Sequence, residues 1–263
     1  MGLIGWGKTR GIQSGIFLLW VFLALSPVHA QNLIFDHWVW AGQSQSDRDQ
    51  HQQKFISDCE ALKLSCEAGG ARVLVRSWGH DADQKSTLHQ SPKYFQDTEK
   101  LILTYRMENH VNSREVSAFI NRDVNIWKRA GRNIIGVEID YDSPSSKLDE
   151  YRVWLLDIKK RIPADISVRI TGLPTWFEDN RQGARTLATA VSEISLMFYR
   201  QKQTPITGHL LDAIKKVHNI RYGFLCDDNR WLSLYKEQKK YGTFRMAIFI
   251  TAECHVDREL APS

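Results

Sequence analysis

The sequence predicts an α/β protein, a single-domain (β/α)8 barrel of the TIM type, from three observations. Eight short, β-rich apolar runs follow one another between positions 33 and 251. Amphipathic helical stretches separate most of them, and no linker or low-complexity segment interrupts the alternation. About 230 residues for eight such units is close to the usual size of that fold. An open doubly wound sheet shares the alternation, but no GxGxxG or GxxxxGK[ST] follows any run, which weakens a nucleotide-binding reading.

The chain is expected to begin with a leader. Lys8 and Arg10 precede the apolar run "GIFLLWVFLAL", and "SPVHA" follows, with small residues Val28 and Ala30 where a signal peptidase needs them. Residues 1–30 are therefore expected to be a signal peptide. The weaker alternative is an uncleaved anchor, because the 11-residue run is short for a spanning helix of about twenty. The mature chain, 31–263, is expected to be exported to a periplasm or secreted, with no later segment apolar enough to span a membrane. Loss of the leader removes two positive charges and no acid, so the net charge falls from +5 to +3. Lys and Arg are scattered among acids, so the basic stripe of a nucleic-acid binder is absent.

The eight runs are "LIFDHWVW", "ARVLVRSW", "KLILTYRM", "NIIGVEIDY", "ISVRITGL", "EISLMFYR", "IRYGFLC" and "RMAIFIT". Between the third and fourth, "NSRE" at Asn112 has a capping-box form, and Val116, Ile120, Val124 and Trp127 share one helical face. After the fourth, Ser143 is expected to cap a helix with Pro144 in its first position, and Leu148, Tyr151, Leu155 and Ile158 form the buried stripe. After the seventh, Asp228 or Asn229 caps a helix that Gly242 stops.

Four cysteines, Cys59, Cys66, Cys226 and Cys254, remain in an exported chain, so disulfides are expected, with three connectivities open. Cys59 and Cys66 would lie about 10 Å apart on an unbroken helix, so their pairing requires the helix to end near Leu64. Cys226 and Cys254 follow neighbouring barrel strands by similar offsets and form a second plausible pair. No CxxC or histidine-pair spacing accompanies them, which disfavours a metal, and no cofactor motif is present.

In a barrel, functional groups collect where strands end at the C-terminal face. Those ends are rich in aromatic and charged side chains, with Trp38, Trp40, Arg76, Arg106, Arg169, Trp176 and Tyr199 as candidate sugar-binding groups. Aromatic faces stack on pyranose rings while charged groups bind hydroxyls, so carbohydrate is the expected partner. The fourth run carries Glu138, Asp140 and Asp142 at alternate positions, on one side of the strand and about 6.6 to 7 Å apart. Three carboxylates at that spacing repel one another, so at least one is expected to hold its proton near neutral pH. A protonated acid beside an ionised one is the equipment for glycosidic cleavage. The blander reading pairs the acids with inward arginines such as Arg76, Arg106 or Arg169.

"GVEIDYD" is similar to the fourth-strand signature G-[IVF]-D-[ILF]-D-[WY]-E of glycoside hydrolase family 18, the chitinases. Gly136, Glu138, Asp140, Tyr141 and Asp142 occupy its positions in order, and the resemblance makes Asp142 the proton donor. "LMFYR" resembles the sixth-strand M-x-Y-D of the same family, with Met197 and Tyr199 retained; there the tyrosine is implied to touch a substrate acetamide. Two departures are that the donor Glu is the shorter Asp142 and the sixth-strand Asp is Arg200. From "HWVW" to "ITGLPTWF" the chain also resembles a bacterial family described only as a domain of unknown function, number 3142, which implies a glycoside-hydrolase-like barrel without a substrate. The expected function is a glycosidase acting on envelope or extracellular polysaccharide, with Asp142 as acid and Asp140 and Glu138 in support. The alternative is a barrel that binds glycan without cleaving it and assists its export or assembly.

Overall fold

A computed structural model describes residues 33–39, 45–79, 86–198, 206–228, 230–238 and 246–249. The expected leader, Trp40, Tyr199, Arg200, Asn229, Gly242 and Cys254 lie outside the described residues. Eight strands run parallel: β1 (Leu33–Val39), β2 (Cys66–Trp78), β4 (Lys100–Met107), β5 (Asn133–Tyr141), β6 (Ser167–Gly172), β7 (Glu193–Met197), β8 (Ile220–Leu225) and β9 (Met246–Phe249). They pair in that order, and the sheet curls until β9 lies beside β1. One short strand, β3 (Ser86–Leu88), was not legible in the sequence and pairs antiparallel with the end of β2.

The connecting helices are α1 (Gln45–Ala61), α2 (Ser113–Arg129), α3 (Leu148–Arg161), α4 (Thr175–Asp179), α5 (Arg181–Ala188), α6 (Gly208–Ile214) and α7 (Arg230–Gln238). Alternate residues of each strand face this layer and bury with it. Phe35 meets Phe55 of α1 edge-on at 4.8 Å, and Val137 and Ile139 of β5 are fully buried in the same core. The predicted apolar stripes of α2 and α3 are the ones that bury. Among the described residues no helix is long and apolar enough to cross a membrane.

Helix starts depart from expectation in an instructive way. Asn112 does cap α2, accepting from the Arg114 N–H at 2.9 Å, but Glu115 does not close a reciprocal box. Its carboxylate instead accepts the Trp78 indole N–H at 3.2 Å, tying α2 to the end of β2. After β5, a turn of 3-10 helix at Ser145–Lys147 intervenes before α3, so neither Ser143 nor Pro144 stands at the start of α3. Asp228 accepts from the Arg230 N–H at 3.2 Å at the start of α7, as expected.

Cys59 and Cys66 form a disulfide with Cα atoms 6.1 Å apart. The helix stops at Ala61, Lys63 takes a left-handed φ of 55°, and the Leu64 N–H returns to the Cys59 carbonyl at 2.9 Å. That reversal is the early helix end which the pairing required. Cys226 is buried and also disulfide-bonded.

At Gly136, β5 lies close against Ser167 of β6. A Cβ there would lie 2.9 Å from the Ser167 carbonyl oxygen and closer still to the Ser167 hydroxyl, inside van der Waals contact with backbone. Gly136→Ala is therefore expected to force the strands apart and cost about 1–3 kcal/mol, read as a lowered midpoint in urea denaturation.

Candidate functional site

Alternate side chains of the strands point into the barrel, and the lower part of that interior is a belt of charge. Arg72 of β2 is completely buried and reaches three other strands. Its guanidinium donates to Asp36 of β1 at 2.6 Å, to Glu193 of β7 at 2.7 Å, and to Glu138 of β5 in a closer contact. Glu193 also pairs with Arg221 of β8 and lies 3.6 Å from Arg169 of β6. Three carboxylates thus face three guanidiniums, with Arg72 and Glu138 wholly buried and Arg169 and Arg221 at the partly exposed edge.

The acid ladder rises from this belt. Glu138 is its deepest member, wholly buried, and accepts the Thr104 hydroxyl at 3.3 Å as well as Arg72. Burial pushes its carboxyl up to about 7, helped by the charges of Asp140, Glu193 and Asp36 and opposed by Arg72. The raised carboxyl expected of the ladder is therefore the one farthest from solvent, where it touches neighbours and no external molecule. Glu193 goes the other way: burial would raise it, but Arg72, Arg221 and Arg169 together hold it down at about 2. Burial likewise works against the charge on Arg72, and its three carboxylates more than offset this.

Asp140 sits one step higher, 5% exposed, and accepts the Thr171 hydroxyl of β6 at 2.8 Å. Asp142 follows the strand end and is partly exposed. The segment that carries it is clamped from outside. The Trp176 indole N–H donates to the Ser143 carbonyl at 2.8 Å, Asn180 donates to the Ser145 carbonyl at 2.8 Å, and the Ser145 hydroxyl donates to Asp179 at 3.0 Å.

The candidate sugar-binding residues separate into three groups. Arg106 is at the mouth, partly exposed and paired with Glu108 at 2.7 Å, and Trp38 points inward above the belt but is buried. Arg169 belongs to the belt, where burial lowers its pKa against the pull of Glu193. Arg76 and Trp176 are corrected by the structure. The register of β2 on β4 slips between Leu74 and Arg76, leaving Val75 as a bulge, and this turns Arg76 out of the barrel. It forms a bidentate pair with Asp123 of α2 at 3.0 and 3.1 Å and lies over the Phe119 ring. Trp176 is fully buried behind the strand end and offers no face to a sugar. Tyr199 and Trp40 lie outside the described residues.

The sequence reading missed Asp36, Arg72, Glu193 and Arg221. Their signal was present: each is an isolated charge inside or at the start of an otherwise apolar β run, in phase with inward neighbours. Among the described residues no group of His, Cys, Asp and Glu side chains is arranged to hold a metal ion.

Comparison with known proteins agrees with this architecture. The family model described as "Domain of unknown function (DUF3142)" matches residues 98–221. The catalytic domain of a family GH18 chitinase from the fern Peteris ryukyuensis is 10% identical, with 82% of this chain and 90% of that one covered and a TM-score of 0.53. A family 18 chitinase from Crocus vernus is 12% identical over 83% of this chain and 92% of that one, with a TM-score of 0.54. A xylanase-A-amylase inhibitor protein, XAIP-III, is 12% identical over 83% and 93% of the two chains, with a TM-score of 0.51. No curated protein sequence matches the chain. At these identities the likeness is one of fold: the chain has a TIM-type barrel like that of these proteins.

Removing the central cation should be costly. Arg72→Met leaves buried carboxylates without their shared partner and is expected to destabilise the fold by about 3–5 kcal/mol or to prevent folding, measured by denaturant unfolding. The belt also predicts a pH profile. Folded Glu138 binds its proton near pH 7 against an ordinary 4.5, so its contribution is full below pH 4.5 and is lost as pH rises through 7. Glu193, held at about 2, contributes above its ordinary 4.5 and loses that contribution as pH falls toward 2. Stability from this pair therefore peaks near pH 4.5. Glu138→Gln should flatten the decline between pH 4.5 and 7, on the order of 3 kcal/mol at full extent, and leave the acid limb in place. Thermal unfolding across pH 3–8 reads both limbs.

Proposed function

We propose that the chain is an exported glycoside-hydrolase-like protein that acts on an envelope or extracellular polysaccharide, with Asp142 as the acid at the barrel rim. The observation that carries this reading is the graded ladder on β5: a belt-bound Glu138, an Asp140 held by the Thr171 hydroxyl, and a partly exposed Asp142 at the strand end. Catalysis of glycosidic cleavage requires a proton delivered to the leaving oxygen and an anion that steadies the charge left on the sugar. Asp142 takes the first role. Asp140 takes the second, either by orienting a substrate acetamido group for internal attack or by stabilising the oxocarbenium ion. Glu138 does not touch substrate; it anchors the ladder to Arg72 beneath Asp140. The Cys59–Cys66 disulfide supports an oxidising destination for the mature chain.

The second reading, a barrel that binds glycan without cleaving it, is favoured by the side chain at the donor position. Asp142 is one methylene shorter than the glutamate of the chitinase signature, and an inhibitor protein is among the structural neighbours, so the barrel alone does not imply hydrolysis.

Incubation of the purified mature chain with a panel of N-acetylated and neutral oligosaccharides separates the two. Hydrolysis should release new reducing ends, and Asp142→Asn should slow it by about 10²–10⁴-fold with the fold intact. Binding without release of reducing ends in both forms selects the second reading and ends the hydrolase proposal.

A further inference from the structure

The bulge at Val75 re-aims Ser77 as well as Arg76. With Arg76 turned out to α2, the next side chain, Ser77, points the opposite way, toward the barrel interior. Unbroken alternation from the inward Arg72 would have put position 76 inside and position 77 outside. Bulges beside active sites aim side chains in this manner. Strand β3 then supplies a partner. It pairs antiparallel with the end of β2, Thr87 opposite Ser77, so His89, two residues on, lies on the same face. The His89 N–H donates to the Val75 carbonyl at 2.9 Å, and its ring Nε2 stands 2.7 Å from the Ser77 hydroxyl. Both residues are half-buried and keep part of their surface open.

A hydroxyl hydrogen-bonded to an imidazole is the arrangement of an activated nucleophile. The surrounding charges suit that role. Burial and the Arg76 guanidinium hold the His89 imidazole below its ordinary 6.5, so the ring is neutral at pH 7 and, with its proton on Nδ1, accepts from Ser77 at Nε2. Arg106 of β4 stands opposite Ser77 in register, partly exposed, with its Nε and Nη2 on Glu108. A cation on the adjacent strand, about 4.8 Å across the sheet, stabilises negative charge that develops beside Ser77. Arg106 is in turn the register partner of Asp140, so Ser77 and the acid ladder lie in one row, two strands or about 10 Å apart. Pair and ladder open on the same mouth.

We propose that Ser77 and His89 form a second catalytic centre at the barrel mouth, which removes an acyl group esterified to a hydroxyl of the glycan. Ser77 Oγ attacks the acyl carbon while His89 Nε2 takes its proton, and Arg106 steadies the oxyanion. The bond from carbon to the sugar oxygen then breaks, and His89 returns the proton to that oxygen. Water, giving a proton to His89, attacks the acyl-serine, releases the carboxylic acid and restores the Ser77 hydroxyl. The centre rests on the glycan reading of the mouth for its acyl carrier, and on its own residues for its chemistry.

The test follows acetate release by the mature chain from p-nitrophenyl acetate, which carries no sugar, and from an acetylated xylo-oligosaccharide. Both should be hydrolysed, and a fluorophosphonate should phosphonylate Ser77 with loss of fluoride, located by peptide mass mapping. Ser77→Ala should lower kcat/KM at least about 10³-fold, His89→Gln about 10²–10⁴-fold, and Thr87→Ala, exposed on β3, should leave it unchanged. The rate should rise with pH through a midpoint below 6.5, and His89→Gln should abolish that step. A pair that merely ties β3 to β2 would instead lower the unfolding midpoint in Ser77→Ala without changing acetate release. The proposal is overturned if neither ester is hydrolysed, if release survives Ser77→Ala, or if the label falls elsewhere. Acetate from p-nitrophenyl acetate alone overturns the glycan as its substrate. Failure of the glycan reading itself shows separately, as neither binding nor new reducing ends with unacetylated chains. Should Ser77→Ala fail to fold, labelling of the unaltered chain decides.

Discussion

Arg72 is the point on which this barrel turns. A guanidinium stripped of all its water is expensive to bury, by several kcal/mol even after relaxation, and is tolerated only where carboxylates surround it in good geometry. Here those carboxylates come from β1, β5 and β7, at sequence separations of 36, 66 and 121 residues. One side chain therefore links strands that could not be brought together by local structure. Because Arg169 and Arg221 share Glu193 with it, the belt behaves as one electrostatic unit, and losing a member exposes the others to uncompensated burial.

The belt also divides the barrel along its axis. Within it opposite charges pair, and Arg72 and Glu138 are wholly closed to solvent. Above it, Asp140 accepts the Thr171 hydroxyl, and Asp142 reaches the rim. The three acids that look equivalent along the strand thus stand in three different environments. The proton expected of the set settles at the bottom, since desolvation there outweighs the attraction of Arg72.

What surrounds the strand end is as decisive as what lies inside it. Trp176, Asp179 and Asn180 grip the turn after β5 from the helix side, so the rim carboxylate is carried on a segment fixed by three side-chain hydrogen bonds, the Trp176 one buried. The same turn, with Tyr141 and Ser143 facing outward, forms part of the wall of a small cavity behind the strand. A single bulge at Val75 has comparable weight: it moves Arg76 from the barrel interior to α2, where its pair with Asp123 helps fix the helix that packs on β2 and β4.

The sequence by itself determined the eight parallel strands, the buried stripes of α2 and α3, and the phase of Glu138, Asp140 and Asp142, because a period of two or of 3.6 is written locally. It also carried the condition for the Cys59–Cys66 bond, an early helix end, which Lys63 meets with a positive φ. Which charges would meet was decided only by the tertiary structure. Asp36, Arg72, Glu193 and Arg221 are far apart in the chain, and closure of the barrel alone brings them within hydrogen-bond distance. The bulge that expels Arg76 and the burial that turns Trp176 from a sugar platform into a clamp have the same origin. Register and packing depend on neighbouring strands and helices, and no periodicity within one segment encodes them.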